Sequence, residues 1–469
     1  MTQKKVFFTG IEGLDKLVGE MRAPYTMLIA GHPGSGKTTL ASTICYHNTL
    51  KGKKCLYITF YEDKDKFFSY MERLGIQLRD VELKGELKFI KLPLSLPVDG
   101  ILDSINRILS EGFDIVVIDS VTALLDGIIE DFAKRAWLLN YFYNLSSTIN
   151  GLLILISELA SGEEKLSVGF AEFVVDAIFL LKHRVEDRRL IRLLEMRKIR
   201  GAPLDVAEVP FSIVEKRGIV IYNLPKLEDL PRESPRIDHV CRVFKEKIGH
   251  LHKEFLVNVL YPPETIFGRE VLVYLLALAV KYNYKILTIS YITPPYLLKD
   301  ILVDLFKAGG ISQEASIELL DKRVVFKAIN PFAYSIHELA MRELELIQAV
   351  KPDIVIFHGT HIINSQDKVS HLKELYKEVM FLKSIGVGVV RIGNCVDQST
   401  CDAESSIADL TLKTVRIYND NATDYRVLIA RRFEEPSIIR KEEIMECIAE
   451  SIDLIKESVH LEKEGNLNK

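Results

Sequence analysis

The 469 residues are 48% hydrophobic and 27% charged, more chain than one compact domain needs and enough core for about two to four. The net charge of −4 is spread evenly, with 30 Lys+Arg against 31 Asp+Glu in residues 1–230 and 31 against 34 in the remainder. Neither half therefore carries a basic nucleic-acid footprint, and the composition excludes disordered, collagenous and disulfide-scaffold classes.

The opening "MTQKKVFFTG" has charge but no apolar stretch that a secretory signal would need. The longest apolar run, "VLVYLLALAV" (271–280), is about half a membrane span and suits a buried helix. The expectation is a cytoplasmic protein without a membrane span. Six cysteines (45, 55, 241, 395, 401, 447) show no CxxC and no paired ligand spacing, and read as small apolar side chains.

Taken in chain order, short apolar runs alternate with amphipathic helical stretches, the pattern of a mainly parallel sheet covered by helices. Strands are predicted at "YTMLIA" (25–30), "KCLYITF" (54–60), "DIVVID" (114–119), "GLLILIS" (151–157), "VVDAIFLLK" (174–182), "RLIRLLEMRKIR" (189–200) and "PFSIVEKRGIVIY" (210–222). The proline-rich, charged "LPKLEDLPRESPR" (224–236) reads as a linker. The order then recurs: "EFLVNVL" (254–260), "YKILTISY" (284–291), "DIVIFH" (353–358), "GVGVVRI" (386–392) and "IADLTLK" (407–413). Offsets of about 230 to 240 residues, kept in the same order, point to an internal duplication. The resulting expectation is an α/β chain of two tandem domains, 1–223 and 237–469, each a mainly parallel sheet flanked by helices. A last helix over "KEEIMECIAESIDLIKE" carries Ile444, Ile448, Ile452 and Ile455 on one face.

"GHPGSGKT", from Gly31 to Thr38, satisfies G-x-x-x-x-G-K-[ST] between a strand and a helix. Gly31, Gly34 and Gly36 allow a tight turn that points backbone N–H groups inward, with His32, Pro33 and Ser35 between them. The helix start adds its positive dipole end, Lys37 a point charge for β/γ oxygens, and the Thr38 hydroxyl a ligand for Mg²⁺; Thr39 follows. Asp119 ends the buried strand "DIVVID", where a carboxylate can hold a magnesium-bound water. Glu62, just past "LYITF", lies at the same edge of the sheet. It reads either as the group that orients the attacking water or as a solvated loop acid beside Asp63 and Asp65.

"TGIEGLDKL" (9–17), "GHPGSGKTT", a Glu past the next strand and "VVIDSVTAL" together resemble the RecA/RadA/KaiC ATPase superfamily. "SVGFAEFVVDAIFLLKHR", "LLEMRKIRGAP" and "VPFSI" are similar to a KaiC-type domain over residues 9 to about 222, and in outline the second half follows. The resemblance implies two RecA-like domains, ATP and Mg²⁺ held by Lys37, Thr38 and Asp119, and a Lys-x-Arg pair, Lys198 and Arg200, that reaches a neighbour's site in a six-membered ring. The family carries two acids after the second strand. Here the pair is Tyr61-Glu62, which keeps the second acid for catalysis and implies slow hydrolysis.

In the second half "YPPETIFGREV" puts Gly268-Arg269-Glu270 where Gly36-Lys37-Thr38 stand, with two prolines that remove donors. "ISYITPP" lacks the acid, "DIVIFH" ends in His358, and the trans pair becomes approximately Arg432 and Glu434. This half should not hold Mg-ATP and is expected to serve as a ring layer or a surface for protein partners. The function expected is an ATP-binding, slowly hydrolysing switch in signalling or regulation, with self-phosphorylation a lesser prospect. The alternative, a RecA/RadA-like DNA-dependent ATPase of recombination or repair, meets balanced charge and no basic stripe with interleaved aromatics.

Overall fold

The structure, a computed structural model, describes residues 5–467 apart from 96, 127–131, 160–173, 187–188, 205, 222–233, 263–268, 366–367, 420–421 and 433. Its contacts divide the chain into two units, Met1–Asn223 and Leu224–Lys469. The predicted linker falls largely on residues outside the described set.

In the first unit the run "YTMLIAG" is buried at every position and forms β1 (Tyr25–Gly31), as a strand covered on both faces must. Helix α1 (Lys37–Thr49) follows, then β2 (Cys55–Thr59), β3 (Leu87–Lys91), α2 (Val98–Leu109), β4 (Ile115–Asp119), α3 (Phe132–Thr148) and β5 (Leu152–Glu158). The meander β6 (Ala177–Glu186), β7 (Arg189–Ile199), β8 (Glu208–Val214) and β9 (Gly218–Ile221) completes the sheet. Its order is β9-β8-β7-β6-β1-β5-β4-β2-β3, parallel from β3 to β6 and antiparallel beyond. Separate apolar clusters fill the two faces, one around Met27, Tyr57 and Phe179, the other around Leu28, Ile118 and Phe142. Period-2 alternation in these strands sends neighbours to opposite clusters.

The second unit repeats this plan: β10 (Leu256–Tyr261), α4 (Arg269–Tyr282), β11 (Ile286–Ser290), β12 (Val324–Ala328), α5 (Ile336–Val350), β13 (Ile354–His358), α6 (Lys368–Ser384), β14 (Gly388–Asn394), α7 (Gln398–Ile407), β15 (Leu410–Asn419), β16 (Ala422–Arg431), β17 (Ser437–Ile439) and α8 (Lys441–Leu467). The sheet order is β12-β11-β13-β14-β10-β15-β16-β17, the first unit's order strand for strand up to β8. Even the entry ribbons agree, Val6–Phe7 on Met21–Arg22 and Arg236–Ile237 on Leu251–His252. Two tandem RecA-like folds are thus present. The units part at their ends, where α8 packs its Ile444 and Ile455 face on the core of the second unit in place of a strand like β9.

All six cysteines are paired, as Cys45–Cys55, Cys241–Cys447 and Cys395–Cys401, which corrects the expectation of ordinary apolar side chains. Separations of 10, 206 and 6 residues carry no motif, and pairing follows from tertiary approach, with Cα atoms 6.2, 5.0 and 5.8 Å apart.

One face of the second sheet encloses an ionisable network. Arg391 donates to Glu404 at 2.9 Å, His371 lies 3.3 Å from the same carboxylate, and Tyr291 donates to Glu343 at 2.5 Å, with Glu378 hydrogen-bonded to Glu343. Burial raises the Glu343 carboxyl to about 7, whereas Arg391 and His371 outweigh burial and hold Glu404 at about 2. A folded-state pKa raised from 4.5 means that the fold keeps a proton the unfolded chain gives up, so this group's contribution falls as pH rises toward 7. His239 and His358, both lowered to about 4 chiefly by burial, act in the opposite sense, so the effect is read by difference. Relative to wild type, Glu343→Gln gains stability as pH rises from about 5 to about 8 in urea unfolding followed by circular dichroism. A constant difference over that range would contradict the shared proton.

Candidate functional site

The carboxyl ends of β1, β2, β4 and β5 lie side by side, registered through Thr59 to Asp119, Asp119 to Ile156 and Glu158 to Gly31. The glycine loop runs from β1 into α1, whose first residue, Lys37, is capped by Gly36 at φ 105°. A Cβ on Gly36 would stand 2.9 Å from Ile213 Cδ1, and one on Gly31 2.3 Å from the Leu181 carbonyl oxygen, so the loop is pressed onto β8 and β6. A side chain at Gly31 would displace backbone, and one at Gly36 would push the Ile213 tip aside and strain a left-handed backbone position. Lys37 is buried and donates to the His32 carbonyl at 3.0 Å. Burial lowers its pKa, against the pull of Glu158 and Asp119. The Ser35 hydroxyl is buried without a partner among the described residues.

Thr38 Oγ1 donates to Asp119 Oδ2 at 3.0 Å, and the Tyr57 hydroxyl donates to the same oxygen at 2.8 Å. Burial raises the Asp119 pKa; the two hydrogen bonds and Lys37 oppose it. A hydroxyl and a carboxylate so joined are hard oxygen donors suited to Mg²⁺. The buried serine hydroxyl and the glycine cradle suit phosphate oxygens, so the residues fit a magnesium–nucleotide ligand. The Asp119–Ser120 peptide is cis. Thr39 continues α1 as a buried residue.

The Glu62 backbone N–H donates to Thr59 Oγ1 at 3.2 Å, which fixes Glu62 three residues past the register partner of Asp119. Its charge reaches the Tyr57 hydroxyl, the group bonded to Asp119. Tyr61 beside it is 62% exposed. Lys198 and Arg200 are not brought to this loop. β7 pairs Ile199 with Ala177, itself opposite Met27, so both lie toward the far edge of the sheet, and Arg200 bonds Asp176 at 3.2 Å.

Two residues belong at the site that the motifs did not supply. Tyr57, a buried phenol inside a strand, had to find a partner for its hydroxyl, and Asp119 on the adjacent strand provides it. Glu158 closes β5 3.8 Å from Lys37. The signal for it, an acid ending a buried strand, is the one that identified Asp119.

The second unit fills the equivalent positions otherwise. His358 takes the register of Asp119 and lies 3.0 Å from Ser290 Oγ, and Thr293 holds Glu62's place by the same backbone bond to Ser290. Arg432 donates to the Asp409 carbonyl as Arg200 does to that of Asp176. The pair aligned with Lys198 and Arg200 is therefore Ala430 and Arg432, not Arg432 and Glu434; a bulge in β7 opposite Ile178/Phe179, where β16 pairs regularly, accounts for one residue of that difference. The prolines and Gly268 of "YPPETIFGREV" fall largely outside the described residues.

A glycine loop between β1 and α1, with an acid closing β4, on a sheet of this order, defines an ATPase domain of the RecA-like class. More narrowly, residues 7–226 match the family of KaiC ATPases, and the first unit is a domain of that family. The chain is similar to the circadian clock protein KaiC3 of Synechocystis, 26% identical over 47% of this chain and 46% of that protein. It is 25% identical to the archaeal flagellar ATP-binding protein FlaH of Sulfolobus acidocaldarius over 47% of this chain and 97% of that one. A UPF0273 protein of Thermotoga maritima is 26% identical over 46% of this chain and 94% of its own. The match to KaiC3 spans about half the length of that relative. No helix among the described residues is long and apolar enough to cross a membrane.

Proposed function

We propose that residues 1–223 bind Mg-ATP and hydrolyse it slowly, and that residues 237–469 do neither. The observation that carries this is the 3.0 Å bond from Thr38 to Asp119 beside buried Lys37 at the end of the glycine loop. In this reading Gly31, His32, Pro33, Gly34, Ser35, Gly36 and Thr39 shape the cradle, Lys37 balances phosphate charge, and Thr38 and Asp119 hold the metal ion. When bound, ATP with Mg²⁺ supplies the phosphoanhydride to be broken. Tyr57 holds Asp119 with its free lone pairs toward the loop, and Glu62 orients water.

Lys198 and Arg200 act only from a neighbouring copy, since a chain cannot fold its own pair onto its own loop. The protein is accordingly a homo-oligomeric ring, six-membered by family resemblance. Its nucleotide state alters a surface that protein partners in the cytoplasm read through the second unit. The relatives, a circadian clock protein and a flagellar ATP-binding protein, favour a regulatory switch over a DNA motor.

The test is steady-state phosphate release. Glu62→Gln lowers kcat at least about 100-fold with KM for ATP within about twofold, the pattern of a group acting on water in the transition state. Equal loss in KM, or unchanged turnover, would return Glu62 to the solvated loop.

A further inference from the structure

We infer that Glu158 is a built-in competitor of the nucleotide for Lys37, and that it sets how tightly the loop holds a triphosphate. The inference rests on the reading of the loop as a phosphate site. Glu158 Oε1 lies 3.8 Å from Lys37 Nζ, the lysine almost wholly buried and the carboxylate half exposed. The backbone on either side of this acid is pinned. Its own N–H donates to Thr122 Oγ1 at 2.8 Å, and the next N–H, of Leu159, donates to the Gly31 carbonyl at 3.1 Å. The Cα of this acid is therefore fixed at the mouth of the loop, within side-chain reach of Lys37.

A carboxylate there has two electrostatic consequences. It neutralises part of the charge that Lys37 offers to a phosphate oxygen, and it repels the phosphate itself. Half exposure screens both effects without removing them. A structural requirement for an acid at this strand end is contradicted within the molecule. Asn394 holds the equivalent register in the second unit, opposite Tyr261 as Glu158 is opposite Gly31, and β14 forms with the same pairing. The fold accepts a neutral amide there. The acid accompanies the intact glycine loop.

Glu158 is thus an affinity-determining residue and not a catalytic one, and removing its charge strengthens binding. Calorimetric titration of Mg-ATP into the full-length protein gives a Kd about fivefold lower for Glu158→Gln than for wild type, with the gain shrinking as salt is raised from about 50 to 500 mM. Glu158→Asp, whose shorter side chain withdraws from Lys37, falls between the two. Equal or weaker binding by Glu158→Gln overturns the inference, as does a gain indifferent to salt. Lys37→Ala separates the two levels of argument. If it binds Mg-ATP as wild type does, the phosphate site is wrong and this inference goes with it. If it loses binding while Glu158→Gln leaves Kd unchanged, only the competitor role fails.

Discussion

Lys37→Ala lowers affinity for Mg-ATP by about 100-fold, a loss of about 2.7 kcal/mol, while the melting temperature without nucleotide stays within a few degrees of wild type. The lysine is the cation at the start of α1, with its ammonium bonded to a loop carbonyl rather than to the core. Truncation therefore removes phosphate binding, and the packing lost from a buried stem is offset by release of a charge that burial disfavours. Titration of the wild-type chain should saturate at about one nucleotide, because the second unit presents His358 and Thr293 where the first presents Asp119 and Glu62. Saturation at two would overturn the assignment of a silent second unit.

The second large effect lies in that second unit. Arg391→Leu installs the side-chain type found at the equivalent register of the first unit, Leu155. Despite this, it should destabilise by about 3–5 kcal/mol, because it leaves the carboxylate of Glu404, only 2% exposed, with His371 alone to balance it inside the core. Removing both charges with Arg391→Leu and Glu404→Leu should recover most of that loss, since neither charge then needs a partner. Urea unfolding followed by circular dichroism decides the matter. Additive losses in the double variant would show that the two side chains act separately.

Much of this architecture is written in the sequence because buried parallel strands leave continuous apolar runs. "YTMLIA", "DIVVID" and "GLLILIS" each became a central strand, and the repeated order of such runs disclosed the two units. The outer strands β3 and β12 were not among those predicted. "LKFIK" mixes Lys88 and Lys91 with Leu87 and Phe89, a weaker pattern that belongs to an edge. The phosphate loop was legible because its residues are contiguous. Tyr57 was not, because its role depends on which strand lies beside which, a fact no local spacing records, and Glu158 carried the strand-end signal of Asp119 without the strand pairing that brings it to Lys37. The Lys-x-Arg alignment slipped partly for a similar reason, since the one-residue bulge in β7 has no residue signature here. Disulfide pairing likewise emerges only once the chain has folded.

The bond between Cys241 and Cys447 has a mechanical meaning. It joins the first turn of the second unit to its final helix, so every strand from β10 to β17 lies within one covalent loop. A protease cutting anywhere inside that loop opens a ring without releasing a fragment, and pulling on the two ends of the chain bypasses the second sheet altogether. Force applied through the chain ends reaches that sheet only after the bridge has been reduced.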